Sequence, residues 1–243
     1  MKRALLSLIL ISNYCAASSW DDIRFEGLEP GHTYSIDIGT GFFVNSEMIV
    51  TNKHVVSDCA NIAVRGATQP QLVVLYAKDN QLDLALLKAN IPSKNVPYIR
   101  NNYTEVKKDD MLFSIGYPLE KGESGEYVIK EAKVIDVTKY DDTKFTKIEF
   151  TDSVEHGNSG GPLLDKNSNL VGVVTAKITY YIPGQTAIPK RTVAMAIGVD
   201  GLQEFLKRNN IPYASSSTYD IFTNYHIDKL TRDYVVNIHC IKR

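Results

Sequence analysis

Cysteine is scarce in this 243-residue chain. Its three cysteines are too few for a disulfide framework, and Cys15, Cys59 and Cys240 offer no Cys-x-x-Cys redox or zinc pattern. An excess of one charge is missing too. Lys and Arg number 27 against 28 Asp and Glu, a formal net charge of −1. That excludes a general nucleic-acid or anionic-membrane binder, which needs a basic excess to capture phosphates. No apolar run approaches the about 20 residues that cross a bilayer as a helix. There is no internal repeat and no low-complexity tract. What is present is 44% hydrophobic residues, enough for a core and contrary to intrinsic disorder. The 15 Gly and 14 Tyr, with many short Val/Ile runs, point to a β-rich protein.

The first segment reads as an address. Lys2 and Arg3 precede an apolar stretch from Ala4 to Ile11, broken by Ser7, and small residues follow at Cys15, Ala16 and Ala17. A charged start, a short apolar run and small residues at −3 and −1 mark a secretory signal peptide over 1–17, cleaved after Ala17. A lipid anchor on Cys15 fits less well, because Asn13 and Tyr14 are not the small residues such a site wants. The mature protein is expected to be exported, periplasmic or secreted, with no membrane insertion. Cys59 and Cys240 would then lie in a compartment that permits a disulfide.

Short apolar runs alternate with turn signals along the rest of the chain. Strands are expected at Tyr34–Ile38, Phe42–Val44, Met48–Thr51, Asn61–Val64, Leu72–Ala77, Leu84–Lys88, Met111–Ile115, Tyr127–Val137, Phe145–Phe150, Leu170–Ala176 and Thr192–Ile197. This is the spacing of a sandwich or barrel protein. One helix is expected at Val199–Arg208. Leu202, Phe205 and Leu206 share one face, with Asp200 near its start and Lys207-Arg208 near its end, matching the helix dipole. Asn101–Asp110 is the polar connector between two β units. Ala214–Thr218 reads as a loop, and Tyr234–Ile241 as one more strand.

The segment Glu155-His156-Gly157-Asn158-Ser159-Gly160-Gly161-Pro162 carries the sharpest chemical signal. A serine flanked by glycines, in a loop before an apolar strand, is how a nucleophile is exposed. The N–H groups of Gly157 and Ser159 could form an oxyanion hole. The plain alternative is a glycine-rich structural turn. Serine needs a base, and of five histidines His54 has the right setting, just after the Met48–Thr51 strand. The base needs an acid to hold its tautomer. Asp83 fits, because a carboxylate inside the apolar Leu82–Leu87 run is costly unless something polar meets it. Its plain alternative is a strand-end aspartate facing solvent.

These residues resemble a trypsin-fold serine protease, and within that fold the HtrA/Deg type. The likeness runs in order through Gly39–Val44, Val50–Val56, Leu82–Leu87, Ser114–Pro118, Thr151–Ser153, Gly157–Leu164, Val171–Ala176 and Ala194–Ile197. It implies an all-β fold of two six-stranded β-barrels of the chymotrypsin/trypsin type, with a C-terminal helix and a short tail. The protease domain would span 34–209. Barrel one (about 34–100) would carry His54 and Asp83, barrel two (about 111–198) Ser159, and the helix would occupy 199–208. An N-terminal arm (18–33, with Trp20 and Phe25) and a tail (210–243) would lie outside. The implied activity is endoproteolysis of extended or unfolded polypeptides through an acyl-enzyme, with no metal and no organic cofactor. Polypeptide is the expected partner, and a monomer is favoured.

Departures from the family narrow what carries over. Asn158 precedes the serine where digestive members have Asp, so an ion pair to a new N-terminal ammonium cannot form. Activity without propeptide cleavage is therefore expected. Residues 211–243 are too few for a PDZ domain, since ordinary domains start near about 50 residues. A Cys59–Cys240 disulfide would staple the tail to the first barrel, the alternative being two separate buried thiols. The resemblance places substrate-binding walls at Ser153, Val154 and His156 and at Val174, Thr175 and Ala176. With no buried carboxylate among them, Val154 and Val174 suggest a modest apolar pocket taking Val, Ile, Leu or Ala at P1. A glutamyl-endopeptidase-like protease, with His156 or Lys177 greeting an acidic side chain, and an inactive protease-like binding or chaperone module are the alternatives.

Overall fold

The computed structural model describes residues 27–28, 31–101, 106–119, 126–139, 142–151, 154–182, 185–216 and 223–242. The expected signal peptide, Trp20 and Phe25 of the arm, Ser153 and the middle of the connector lie outside the described residues.

The strands are β1 (Ser35–Phe43), β2 (Met48–Asn52), β3 (Asn61–Gly66), β4 (Gln71–Asp79), β5 (Leu84–Lys88), β6 (Ile99–Arg100), β7 (Met111–Gly116), β8 (Val128–Lys139), β9 (Thr146–Phe150), β10 (Pro162–Asp165), β11 (Leu170–Ile182) and β12 (Gln185–Gly198). Then follow α1 (Val199–Arg208), β13 (Ser215–Ser216), α2 (Asn224–Thr231) and β14 (Val235–Lys242). The first barrel closes in the order β1-β14-β3-β4-β5-β2. The second runs β10-β7-β8-β9-β12-β11 and closes through β10–β11, with β6 and β13 added beyond β11. Two closed six-stranded barrels and a helix after the second are what the resemblance implied.

The tail is a correction. It was expected outside the barrels, yet β14 is inserted between β1 and β3, antiparallel to both. Its register with β1 runs from Ser35↔Lys242 to Phe42↔Val235, and with β3 from Val236↔Gly66 to Ile241↔Asn61. The first barrel is therefore incomplete at residue 100. The physical reason is edge pairing, since β1 and β3 would otherwise each present a row of unpaired backbone groups. A second correction concerns β1, which is one continuous strand through Gly39-Thr40-Gly41. The small residues keep it extended where it passes close to Val55 and Ile49.

Phe42, Phe43, Ile49, Val50, Leu84, Leu86 and Leu87, on β1, β2 and β5 of the first barrel, are fully buried. Leu112, Val134, Ile148, Phe150, Leu163, Val171 and Ala196 form the second core. The helix α1 has the expected bounds. It buries Leu202, Phe205 and Leu206, each contributing roughly 1.5–3 kcal/mol. The helix α2 was not anticipated, because it is short and, among its described residues, Ile227 is the only apolar side chain fully buried. Its Thr231 hydroxyl meets the Tyr127 hydroxyl, and the Arg232 guanidinium lies over the Tyr127 ring at 4.8 Å.

Candidate active site

β2 delivers His54 to the surface. All five residues of β2 are buried, and the chain then turns into a single 3-10 turn, His54–Val56, whose Val55 and Val56 pack inward. That leaves the imidazole on the outside. Asp83 comes from the turn before β5. Asp79 builds this turn by accepting the N–H groups of Gln81 (2.8 Å) and Leu82 (2.9 Å), and the Arg208 guanidinium of α1 binds its other carboxylate oxygen. Asp83 itself takes a left-handed backbone, φ +51, a conformation that Asp and Asn tolerate better than other side chains.

His54 and Asp83 are bonded twice. Nδ1 of His54 lies 2.6 Å from Oδ2 of Asp83, and the His54 N–H donates to Oδ1 at 3.0 Å. The Asp83 carbonyl accepts the Lys53 N–H (2.9 Å) and the Asn52 side-chain amide (3.0 Å). The carboxylate thus fixes Nδ1 as the protonated nitrogen and leaves Nε2 as a base.

The serine loop is held peptide by peptide. The carbonyl of His156 accepts the Leu119 N–H (2.6 Å), that of Gly157 the Thr40 hydroxyl (2.7 Å), that of Asn158 the Gly161 N–H (3.0 Å) and that of Ser159 the Thr40 N–H (2.9 Å). The N–H groups of Asn158 and Gly160 donate to Glu155 (3.1 Å) and Val174 (2.8 Å). The N–H groups of Gly157 and Ser159, like that of His156 before them, have no acceptor among the described residues. Those of Gly157 and Ser159 are the two groups expected to form the oxyanion hole. Gly157 has φ +96, and a Cβ there would collide with the Tyr117 carbonyl. Gly160 has φ +86, and a Cβ would strike the Thr40 carbonyl and the Thr51 hydroxyl. Glycine is required at both.

The loop therefore sits against β1 and β2, beside the start of the His54 turn. The Ser159 hydroxyl donates to the Thr175 carbonyl at 3.2 Å rather than to His54. Thr175 lies at a register shift between Val174 and Ala176 on β11, and its own hydroxyl donates to the Met195 carbonyl at 3.2 Å. Ala176 is half-buried and His156 is exposed. Val154 and Val174, expected to wall an apolar pocket, are 3% and 0% exposed and pack into the second core. Both belong to that core's buried cluster. The residues that sequence reasoning missed are Thr40, Asn52, Tyr117 and Leu119. Thr40, Asn52 and Tyr117 stand in stretches that carry the resemblance, but nothing local to them showed these bonds.

Cys59, five residues beyond His54, is disulfide-bonded to Cys240 of β14, with the Cα atoms 5.2 Å apart.

A profile of the trypsin-like peptidase domain matches residues 39–173. A probable periplasmic serine endoprotease, DegP-like, of Brucella suis biovar 1 (strain 1330) is 31% identical over 173 residues, covering 65% of this chain and 33% of that one. The uncharacterized protein y4bJ of Sinorhizobium fredii is 34% identical over 144 residues, covering 58% of this chain and 22% of its own. The chain thus spans about a third or less of the length of these relatives. Among solved structures, the HtrA-type protease AlgW with decapeptide shares the fold at TM-score 0.56 and 21% identity, covering 71% of this chain and 51% of that one. The serine endoprotease from Yersinia pestis does so at TM-score 0.55 and 22% identity, covering 72% and 61%. The matched span holds His54, Asp83 and Ser159 on the two barrels just described, and the chain belongs to the trypsin-like peptidase domain family.

Proposed function

We propose that the protein is an exported serine endopeptidase acting on extended or unfolded polypeptides, with Ser159, His54 and Asp83 as its triad. The observation that carries this reading is the 2.6 Å His54–Asp83 pair beside a serine loop with two open N–H groups. In the reaction, Ser159 swings from the Thr175 carbonyl towards His54, and Nε2 takes the hydroxyl proton as Oγ attacks the scissile carbonyl. The Gly157 and Ser159 N–H groups hold the oxyanion, and Asp83 stabilises the imidazolium. His54 then gives the proton to the leaving amine. Water, activated by the same imidazole, clears the acyl-enzyme.

The periplasm is the proposed location, supported by the relatives' printed names and the amino-terminal pattern; no helix among the described residues is long and apolar enough to cross a membrane. Cleavage after Val, Ile, Leu or Ala rests on the half-buried Ala176, which offers no charge to a P1 side chain. The test is labelling with a fluorophosphonate probe, with cleavage of an unfolded protein in parallel. The protein is expected to label and cleave, and Ser159→Ala to do neither. A parent that stays unlabelled would instead make the chain a protease-like binding module. A peptide panel varied at P1 checks the specificity, and preference for Glu would support the glutamyl-endopeptidase alternative.

A further inference from the structure

Thr40 is fully buried and lies on β1 of the first barrel, 117 positions from Gly157. All four of its polar bonding functions are engaged at the seam between barrels. Its hydroxyl donates to the Gly157 carbonyl (2.7 Å) and accepts the Tyr117 N–H (3.0 Å). Its N–H donates to the Ser159 carbonyl (2.9 Å), and its carbonyl accepts the Thr51 hydroxyl (2.7 Å). A planar trans peptide points its carbonyl and N–H in opposite directions. Fixing the carbonyls of Gly157 and Ser159 therefore fixes the peptide planes on both sides of the Ser159 N–H. The other oxyanion donor is reached through Tyr117. Holding its N–H seats the Tyr117-Pro118-Leu119 segment, whose Leu119 N–H pins the His156 carbonyl and so aims the Gly157 N–H.

We propose that Thr40 is a positioning residue for the oxyanion hole, its hydroxyl setting both donor peptides from the opposite barrel. This rests on the protease reading above. Because the hole binds the transition state more strongly than the substrate, misaiming it lowers kcat and leaves KM nearly unchanged. Valine has the shape of threonine but can neither donate to Gly157 nor accept from Tyr117. Serine can do both.

The experiment compares the parent, Thr40→Ser, Thr40→Val, Thr40→Ala and Thr51→Val by steady-state kinetics on a fluorogenic peptide, fluorophosphonate labelling rate and thermal unfolding. Thr40→Val is expected to lower kcat about 10- to 100-fold with KM within about threefold, and to label correspondingly more slowly. Thr40→Ser should stay within about threefold of the parent in both constants. Three results overturn the proposal: folded Thr40→Val with parental kcat, Thr40→Ser as slow as Thr40→Val, or a loss confined to KM. If Thr40→Val does not fold, Thr40→Ala, which also removes the hydroxyl, decides: it should lower kcat by about tenfold or more, and an unchanged kcat overturns the proposal. Thr51→Val releases only the Thr40 carbonyl and keeps that hydroxyl, so it is the control for packing at the seam. A parent that does not label at all defeats the protease reading itself, a different outcome from a labelled parent with an indifferent Thr40.

Discussion

Asp83 is where backbone and chemistry meet in one residue. Its φ of +51 would be unfavourable for most side chains, and its carboxylate holds both the N–H and the ring of His54. Asp83→Asn tests the chemistry without disturbing the backbone, since Asn also tolerates the left-handed region. It is expected to lower kcat by about 10³- to 10⁴-fold, because an amide can stabilise neither the tautomer nor the imidazolium. The thermal midpoint should stay near that of the parent, and full activity in Asp83→Asn would remove Asp83 from the triad. A second residue-scale prediction concerns His239, on β14 between Ile38 and Ala63. Burial first, and then the positive charge of Arg65, bring its pKa down from 6.5 to about 4. The folded state therefore keeps it neutral where the unfolded chain takes up a proton. Its contribution to stability is complete above pH 6.5 and is lost as pH falls towards 4. Urea midpoints measured from pH 7 to pH 4.5 should fall, and His239→Gln should flatten that fall. An unchanged slope in the variant would show that other groups set it. His54 and Asp83 were legible because a polar residue stood at the end of, or inside, an apolar run. The role of Thr40 was not, because its partners are distant in sequence and no local pattern encodes a hydrogen bond across the seam.

At the scale of elements, β14 matters most. It lies between β1 and β3, so its removal would open two edges in the barrel that carries His54 and Asp83. Truncation before Val235 is expected to yield an aggregating or protease-sensitive chain without fluorophosphonate labelling. A soluble, fully labelled truncation would show that the first barrel closes without it. The disulfide reinforces the same strand. Cys59 and Cys240 are 181 positions apart, so the cross-link removes a large loop from the unfolded ensemble. Replacing both with Ser should cost about 2–5 kcal/mol, read as a lower denaturant midpoint. An unchanged midpoint would mean that the reduced unfolded chain is already constrained. Most strands were legible because alternation or a short apolar run survives locally, as in Leu84–Lys88. The β14 sequence also read as a strand, but its partners could not be inferred. Closure with β1 depends on register matching between residues such as Ser35 and Lys242, which no local window contains. The burial of Val154 and Val174 was not legible for a related reason, since a loop-adjacent valine looks the same whether it faces a pocket or the core.

For the whole molecule, the barrels divide the proposed triad between them, and besides the second barrel's own cluster they share a core. One cluster of packed buried side chains joins Phe42, Ile49 and Leu86 of the first barrel to Ile115, Leu164, Val173 and Ile197 of the second, and to Leu202 and Phe205 of α1. The contacts of Thr40 cross the same seam with hydrogen bonds. Two barrels with independent cores would unfold in two steps, and the size of this chain exceeds the range in which two-state behaviour is routine. Shared packing predicts the opposite here. Loss of tyrosine fluorescence, loss of far-ultraviolet circular dichroism and loss of Ser159 labelling should coincide in urea. The calorimetric and van't Hoff enthalpies should agree. Because Cys59–Cys240 ties only the first barrel, an independent pair would respond to the double Ser variant with a shift in one transition alone. A cooperative molecule instead moves every probe together, including the labelling of Ser159 on the other barrel. Separated midpoints, or a labelling curve that ignores the disulfide, would show that the seam transmits no folding free energy between the barrels.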